Sequence, residues 1–211
     1  MNWVLAIFWR IFVVVAILFL FFGLYAVFAP PNEDSTSSYY NTGPERKEEC
    51  VDALEYVNEL RQEKGLNALI WNESLYELAT YRARDLYERE YFDHTTPEGT
   101  CVKDFKNQAG FEDYIIAENL GAQLISENYG AYVYDTEINP TEQVDGWMES
   151  RGHRYNLLYA DHIYGAIGCY GGVCVFLGAH QDPWGLGAGP CTTGEEGLAY
   201  WESVPLQPGE Q

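Results

Sequence analysis

The sequence predicts an α+β domain behind a membrane anchor. Two amphipathic helical stripes open its globular part, a glycine-centred pair of β-rich runs lies near its end, and an uncharged apolar stretch precedes both.

Ile11 to Ala29 carry no charge over 19 residues, close to the roughly 20 a helix needs to cross the hydrocarbon. Arg10 precedes this run and Glu33 and Asp34 follow it, a bias that keeps the N-terminus inside and places the remainder outside. Secretion after signal-peptide cleavage is the rival reading, because Val27-Phe28-Ala29 has small-residue character. The length of the run and Pro30-Pro31 argue against cleavage. We expect 1–29 to be a transmembrane anchor in the protein's own membrane. Residues 30–44, rich in Pro, Ser, Thr and acids, then form a flexible acidic tether.

From Glu45, Val51, Leu54, Val57 and Leu60 recur at helical spacing until Gly65 offers a stop. A second helix follows Trp71-Asn72, with Ser74 and Glu77 as a capping box and Leu75, Leu78, Ala79, Ala83 and Leu86 as its stripe. It should end near Glu90 and deliver His94 into the next loop. Val102–Ala109 reads as a short helix closed by Gly110, and Tyr114–Ala117 as a strand with Glu118 at its end. Asn139-Pro140 starts another helix, which Gly152 ends so that His153 sits just past its last turn. Ile163 to His180 reads as two antiparallel strands around Gly171-Gly172. The domain thus spans 45–183, and 184–211, with little periodicity, is expected to be an irregular tail near Cys191 and Trp201.

A two-residue turn at Gly171-Gly172 pairs Tyr170 with Val173 and sets Cys169 opposite Cys174, so a cross-strand disulfide is expected. Cys50, Cys101 and Cys191 leave one odd cysteine, with the pairing open. Thirty-two acids against 12 bases give a net charge of −20. No Lys/Arg cluster interrupts this, so no nucleic-acid partner is expected. Asn72-Glu73-Ser74 is a glycosylation sequon of the kind common by chance.

Several blocks recur in a familiar order: Asn58-Glu59-Leu60-Arg61, Leu69-Ile70-Trp71-Asn72, Tyr91-Phe92-Asp93-His94, Ala117-Glu118-Asn119-Leu120, and Trp147 with Ser150-Arg151-Gly152-His153-Arg154. Over about residues 47–180 the chain resembles the CAP superfamily of cysteine-rich secretory, antigen 5 and pathogenesis-related proteins, whose domain is also called SCP. Its compact spacing is similar to that of the short bacterial and archaeal members. The resemblance implies an α-β-α sandwich with a central antiparallel sheet, an extracytoplasmic location, and a cleft that gathers two His and two Glu. Carried onto this chain, these are His94, Glu118 and His153. The family's second Glu position is Ser150 here, which leaves its neighbour Glu149, with Glu142 on the same predicted helix.

Two imidazoles and a carboxylate suit one divalent metal ion, zinc foremost. Such an ion can activate water, so a metal-dependent, peptidase-like hydrolase is one alternative. A hydrogen-bonded structural cluster is another reading of the same residues. His162 and His180 carry no matching motif and read as structural. A triad of Ser150, His153 and Glu118 lacks a nucleophile elbow, and the cysteines read as staples. The leading expectation is a non-enzymatic extracellular module whose cleft binds a divalent metal or small ligand and whose surface meets an envelope component. The resemblance also implies lipid or sterol binding as a third possibility.

Overall fold

The first helix, α1 (Pro44–Glu63), buries Cys50, Ala53, Leu54 and Val57 on one side. Its end is closed by Gly65 at φ 73°, with Leu66 N donating back to Arg61 O at 2.9 Å. The computed structural model describes residues 44–128, 131–183, 185 and 190–205. The expected anchor over 1–29 and nearly all of the tether lie outside the described residues, and Pro44 belongs to α1 rather than to the tether. No helix among the described residues is long and apolar enough to cross a membrane.

After β1 (Ile70–Trp71), α2 (Glu73–Glu88) is capped by Asn72, whose side chain accepts from Leu75 N at 3.1 Å. This replaces the expected Ser74–Glu77 box, because Asn72 already holds an extended backbone and is an equally good cap. The short α3 (Val102–Phe105) continues in turns to Gly110 at φ 76°. Strand β2 (Tyr114–Ala122) runs past Glu118, which therefore sits inside the strand and not at its end. A hairpin of β3 (Leu124–Asn128) and β4 (Ala131–Tyr134) follows, an element without a counterpart in the sequence reading.

Asn139 caps α4 (Pro140–Glu149) by accepting from Thr141 N and Glu142 N, as its Asn-Pro start predicts. The break comes at Ser150, which is extended (φ −83°, ψ 126°), and α5 (Arg151–Leu157) begins at once. Gly152 is thus inside a helix, and His153 lies within α5 rather than beyond a helix end. Strands β5 (Tyr164–Tyr170) and β6 (Val173–Gln181) form the predicted hairpin, with Cys169 opposite Cys174 and a disulfide joining them. The supposed irregular tail contains α6 (Gly194–Ser203), opened by a Thr193–Glu196 capping box.

The main sheet has the order β1-β5-β6-β2, and β1 runs parallel to β5. It is therefore mixed, not wholly antiparallel as expected. Side-chain alternation assigns its two faces. A Cβ on Gly168 would lie 2.3 Å from Thr80 N, so Gly168 and its same-face neighbours meet α2. A Cβ on Gly165 would meet Leu69 and Leu54, so the opposite face meets α1. Phe176, on that second face by its pairing with Ile167, contacts Trp147 of α4 at 6.3 Å between centroids. Helices therefore cover both faces of the sheet, giving the α-β-α layering.

A second disulfide joins Cys101 to Cys191 across 90 residues of sequence. Cys50 is the odd cysteine; it is fully buried, and burial pushes its thiol up to about 12, where it is unreactive. The contact at Gly168 gives a direct test of the layering. Gly168→Ala should lower stability by about 3 kcal/mol through overpacking against the α2 backbone. It should shift the urea midpoint at unchanged slope. An unchanged midpoint would mean that α2 does not lie on this face.

Candidate functional site

Strand β2 is an edge strand, and its alternation sends consecutive side chains to opposite faces. Glu118 pairs with Leu177 and falls on the α2 face; Asn119 pairs with Phe176 and falls on the α4 side. A cleft of about 920 Å³ opens around this edge, lined from β2, the loop after α2, α5 and α6.

On the α2 face, Arg82 is fully buried and its Nε donates to Glu118 Oε1 at 3.1 Å. The guanidinium also donates to the Tyr91 hydroxyl and the Asp93 carbonyl, and Asp85 Oδ2 lies 3.5 Å from its Nη1. These extra partners matter, since a buried ion pair is held only when its remaining donors are satisfied. The other carboxylate oxygen, Glu118 Oε2, lies 2.9 Å from His94 Nδ1. A carboxylate paired with a guanidinium only accepts, so His94 carries its proton on Nδ1 and leaves Nε2 for the cleft. Both oxygens of Glu118 are thereby engaged.

On the other side, His153 lines the cleft from α5, and burial followed by the nearby His94 lowers its pKa to about 4. Its carbonyl accepts from Asn119 Nδ2 at 3.0 Å. Because a carbonyl cannot donate, this fixes the Asn119 amide, and Asn119 Oδ1 must accept from Asn156 Nδ2 at 2.9 Å. Asn156 Oδ1 then accepts from His162 Nε2 at 2.8 Å. His162 Nδ1 is left unprotonated, 3.2 Å from His180 Nδ1. His162 is pushed down to about 3 by burial, then by His180 and Arg61.

The C-terminal segment covers one side of the cleft. A Cβ on Gly152 would lie 2.7 Å from the Trp201 indole, so only glycine lets α6 sit this close to α5. Arg151 donates to the carbonyls of Trp201, Val204 and Pro205, Gly194 N donates to Asp93 Oδ2 at 3.1 Å, and the Cys101–Cys191 disulfide holds the approach to α6.

Of the four residues singled out as metal ligands, His94, Glu118 and His153 line the cleft. Glu149 is exposed and does not line it, because two residues beyond buried Trp147 a helix has turned through about 200°. Among the described residues, the group of three donor atoms within 4.8 Å of one another is Cys101, Asp104 and Cys191. The first and last of these are joined as a disulfide. Ser150 lines the cleft but its side chain forms no cap hydrogen bond. All four histidines of the chain line this one cleft, including His162 and His180, whose convergence no motif announced.

Two of these imidazoles, His153 and His162, contribute to the acid response of the fold. In the unfolded chain each takes up a proton near pH 6.5, whereas in the fold His153 does so at about 4 and His162 at about 3. Between those limits the unfolded state binds more protons, so stability falls as pH falls. The slope is about 1.4 kcal/mol per pH unit for each histidine. The unfolding free energy from urea titrations should decline from about pH 6 down to about pH 5 with a slope near two protons from this pair, and His153→Asn and His162→Asn should each remove about one. A profile flat over this window would contradict the buried, uncharged imidazoles.

The Cysteine-rich secretory protein family, CAP, matches residues 54–174. The membrane protein YlbC of Bacillus subtilis strain 168 is 30% identical over 115 residues, covering 54% of this chain and 30% of YlbC. YkwD of the same organism is 28% identical over 115 residues, 54% of this chain and 40% of YkwD. The chain therefore aligns with less than half the length of these curated relatives. Among solved structures, an extracellular SCP-domain protein from Bacillus anthracis superposes with a TM-score of 0.54 at 19% identity, covering 66% of this chain and 44% of that one. An outer surface protein from Borrelia burgdorferi gives 0.53 at 20% identity, covering 64% and 94% respectively. Both show the same fold. With the layered α+β core, the ordered blocks and the family match in agreement, this chain belongs to the CAP family of cysteine-rich secretory proteins.

Proposed function

We propose that the protein is a membrane-tethered, extracytoplasmic CAP domain that works as a non-enzymatic envelope module, with a cleft that binds a divalent metal ion or a small ligand. The observation that carries this reading is that the Arg82–Glu118–His94 line and the buried, uncharged His153 line one cleft with aromatic walls. The names of relatives support the setting: YlbC is described as a membrane protein, and the Borrelia burgdorferi relative as an outer surface protein. Ile11 to Ala29 supply an apolar stretch of anchor length.

The donor types, two uncharged imidazoles, are those that zinc and related ions take, although the donor atoms of His94, Glu118 and His153 do not all lie within 4.8 Å of one another. His94 offers Nε2, His153 is kept uncharged by burial, and Glu118 serves as the outer carboxylate that orients His94 instead of as a ligand. A metal so held supplies a positive point for an anionic or carbonyl group. Phe92, Tyr155 and Trp201 give the apolar part of a ligand somewhere to rest.

Calorimetric titration of the full chain with zinc is the test, beside a His94→Ala/His153→Ala variant. The variant should bind about one equivalent fewer, while far-UV spectra and melting stay cooperative. Equal stoichiometry and affinity in both chains would refute this site. Metal-stimulated peptide hydrolysis, lost in the same variant, would replace the binding role by hydrolysis.

A further inference from the structure

The second histidine pair has the makings of a ligand site of its own. His162 is 3% exposed, and His180 is partly exposed at the cleft wall. A Cβ on Gly178 would lie 2.5 Å from His162 Nε2, so β6 carries glycine where the imidazole lies across it. The relay from the His153 carbonyl through Asn119 and Asn156 fixes the His162 proton on Nε2. It therefore presents Nδ1 as a bare lone pair, the arrangement found when an outer-sphere partner orients a metal-binding histidine. In the structure it accepts a hydrogen bond from His180 Nδ1 at 3.2 Å, with the rings inclined at 45°. With metal–nitrogen bonds of about 2.0–2.1 Å, two nitrogens span about 3.3 Å across a tetrahedral angle and about 2.9 Å across a right angle. The observed separation lies between these values.

We propose that His162 and His180 form a two-imidazole chelate for a divalent first-row transition ion, separate from the His94–His153 pair. Binding moves the His180 proton from Nδ1 to Nε2 through solvent, with no net proton lost, and the partly exposed ring turns so that both Nδ1 lone pairs meet one ion. His162 stays fixed by Asn156. Arg61 opposes a cation from beside His162, while Asp161 and Asp182 favour it from beside His180. The remaining positions of the ion are filled by water or by a ligand in the cleft. Imidazole donors suit zinc, copper, nickel and cobalt better than magnesium or calcium.

The test uses the full chain carrying His94→Ala/His153→Ala, which removes the other pair and keeps the two readings distinguishable. Cobalt(II) is titrated and its visible ligand-field bands are followed. The expected result is one equivalent bound, with at least tenfold weaker binding after His180→Ala is added. Asn156→Ala, which keeps both imidazoles but releases His162, should weaken binding about tenfold or more. If His180→Ala melts without cooperativity, His180→Gln takes its place and the same loss is expected. Absence of cobalt uptake in the starting variant, or uptake indifferent to His180, would overturn the proposal.

Discussion

The buried ion pair between Arg82 and Glu118 is the constraint on which the site depends. Arg82 comes from the helix covering one face of the sheet and Glu118 from the edge strand, so their contact fixes helix to sheet at the point where the cleft opens. Taking both charges out of water is costly, and the pair is held because Tyr91, Asp85, Asp93 and His94 satisfy the remaining hydrogen-bonding positions. The same bonds fix the loop that bears His94 and choose the nitrogen that its ring presents. Stability and site geometry here come from one network.

The edge strand extends this logic to the other face. One residue after Glu118, Asn119 points the opposite way and organises His153, Asn156 and His162 through bonds whose direction a single backbone carbonyl determines. Trp147 adds a third tie by donating from its indole to the Leu120 carbonyl at 2.9 Å. Three consecutive positions of β2 thus anchor α2, α5 and α4. The C-terminal helix then covers one side of the assembled cleft, held by Arg151, the Trp201–Gly152 contact and the Cys101–Cys191 disulfide.

Where local chemistry dictates geometry, the sequence was legible. Gly171-Gly172 can make only a short turn, and that turn sets the register which joins Cys169 to Cys174. Asn139-Pro140 is a helix start in any context, and the ordered motif blocks pointed to the cleft residues His94, Glu118 and His153. What was not legible depends on tertiary packing. Gly152 resembles a helix stop, yet it is there to admit the Trp201 ring. Helix α6 buries no residue completely, so it leaves no apolar stripe; its Thr193–Glu196 capping box was the signal available. The β3–β4 hairpin, the parallel pairing of β1 and the meeting of His162 with His180 are consequences of register between distant segments.

The most direct measurement of the central claim is the tautomer of each imidazole, read from nitrogen-15 correlation spectra of the histidine rings at neutral pH. The predicted result is a proton on Nδ1 of His94, held by Glu118, and His162 protonated on Nε2 with Nδ1 bare, held by Asn156. Replacing Arg82 or Glu118 should change the first assignment and leave the second. A His94 ring bare at Nδ1, or a His162 ring bare at Nε2, would contradict the network from which the cleft has been built.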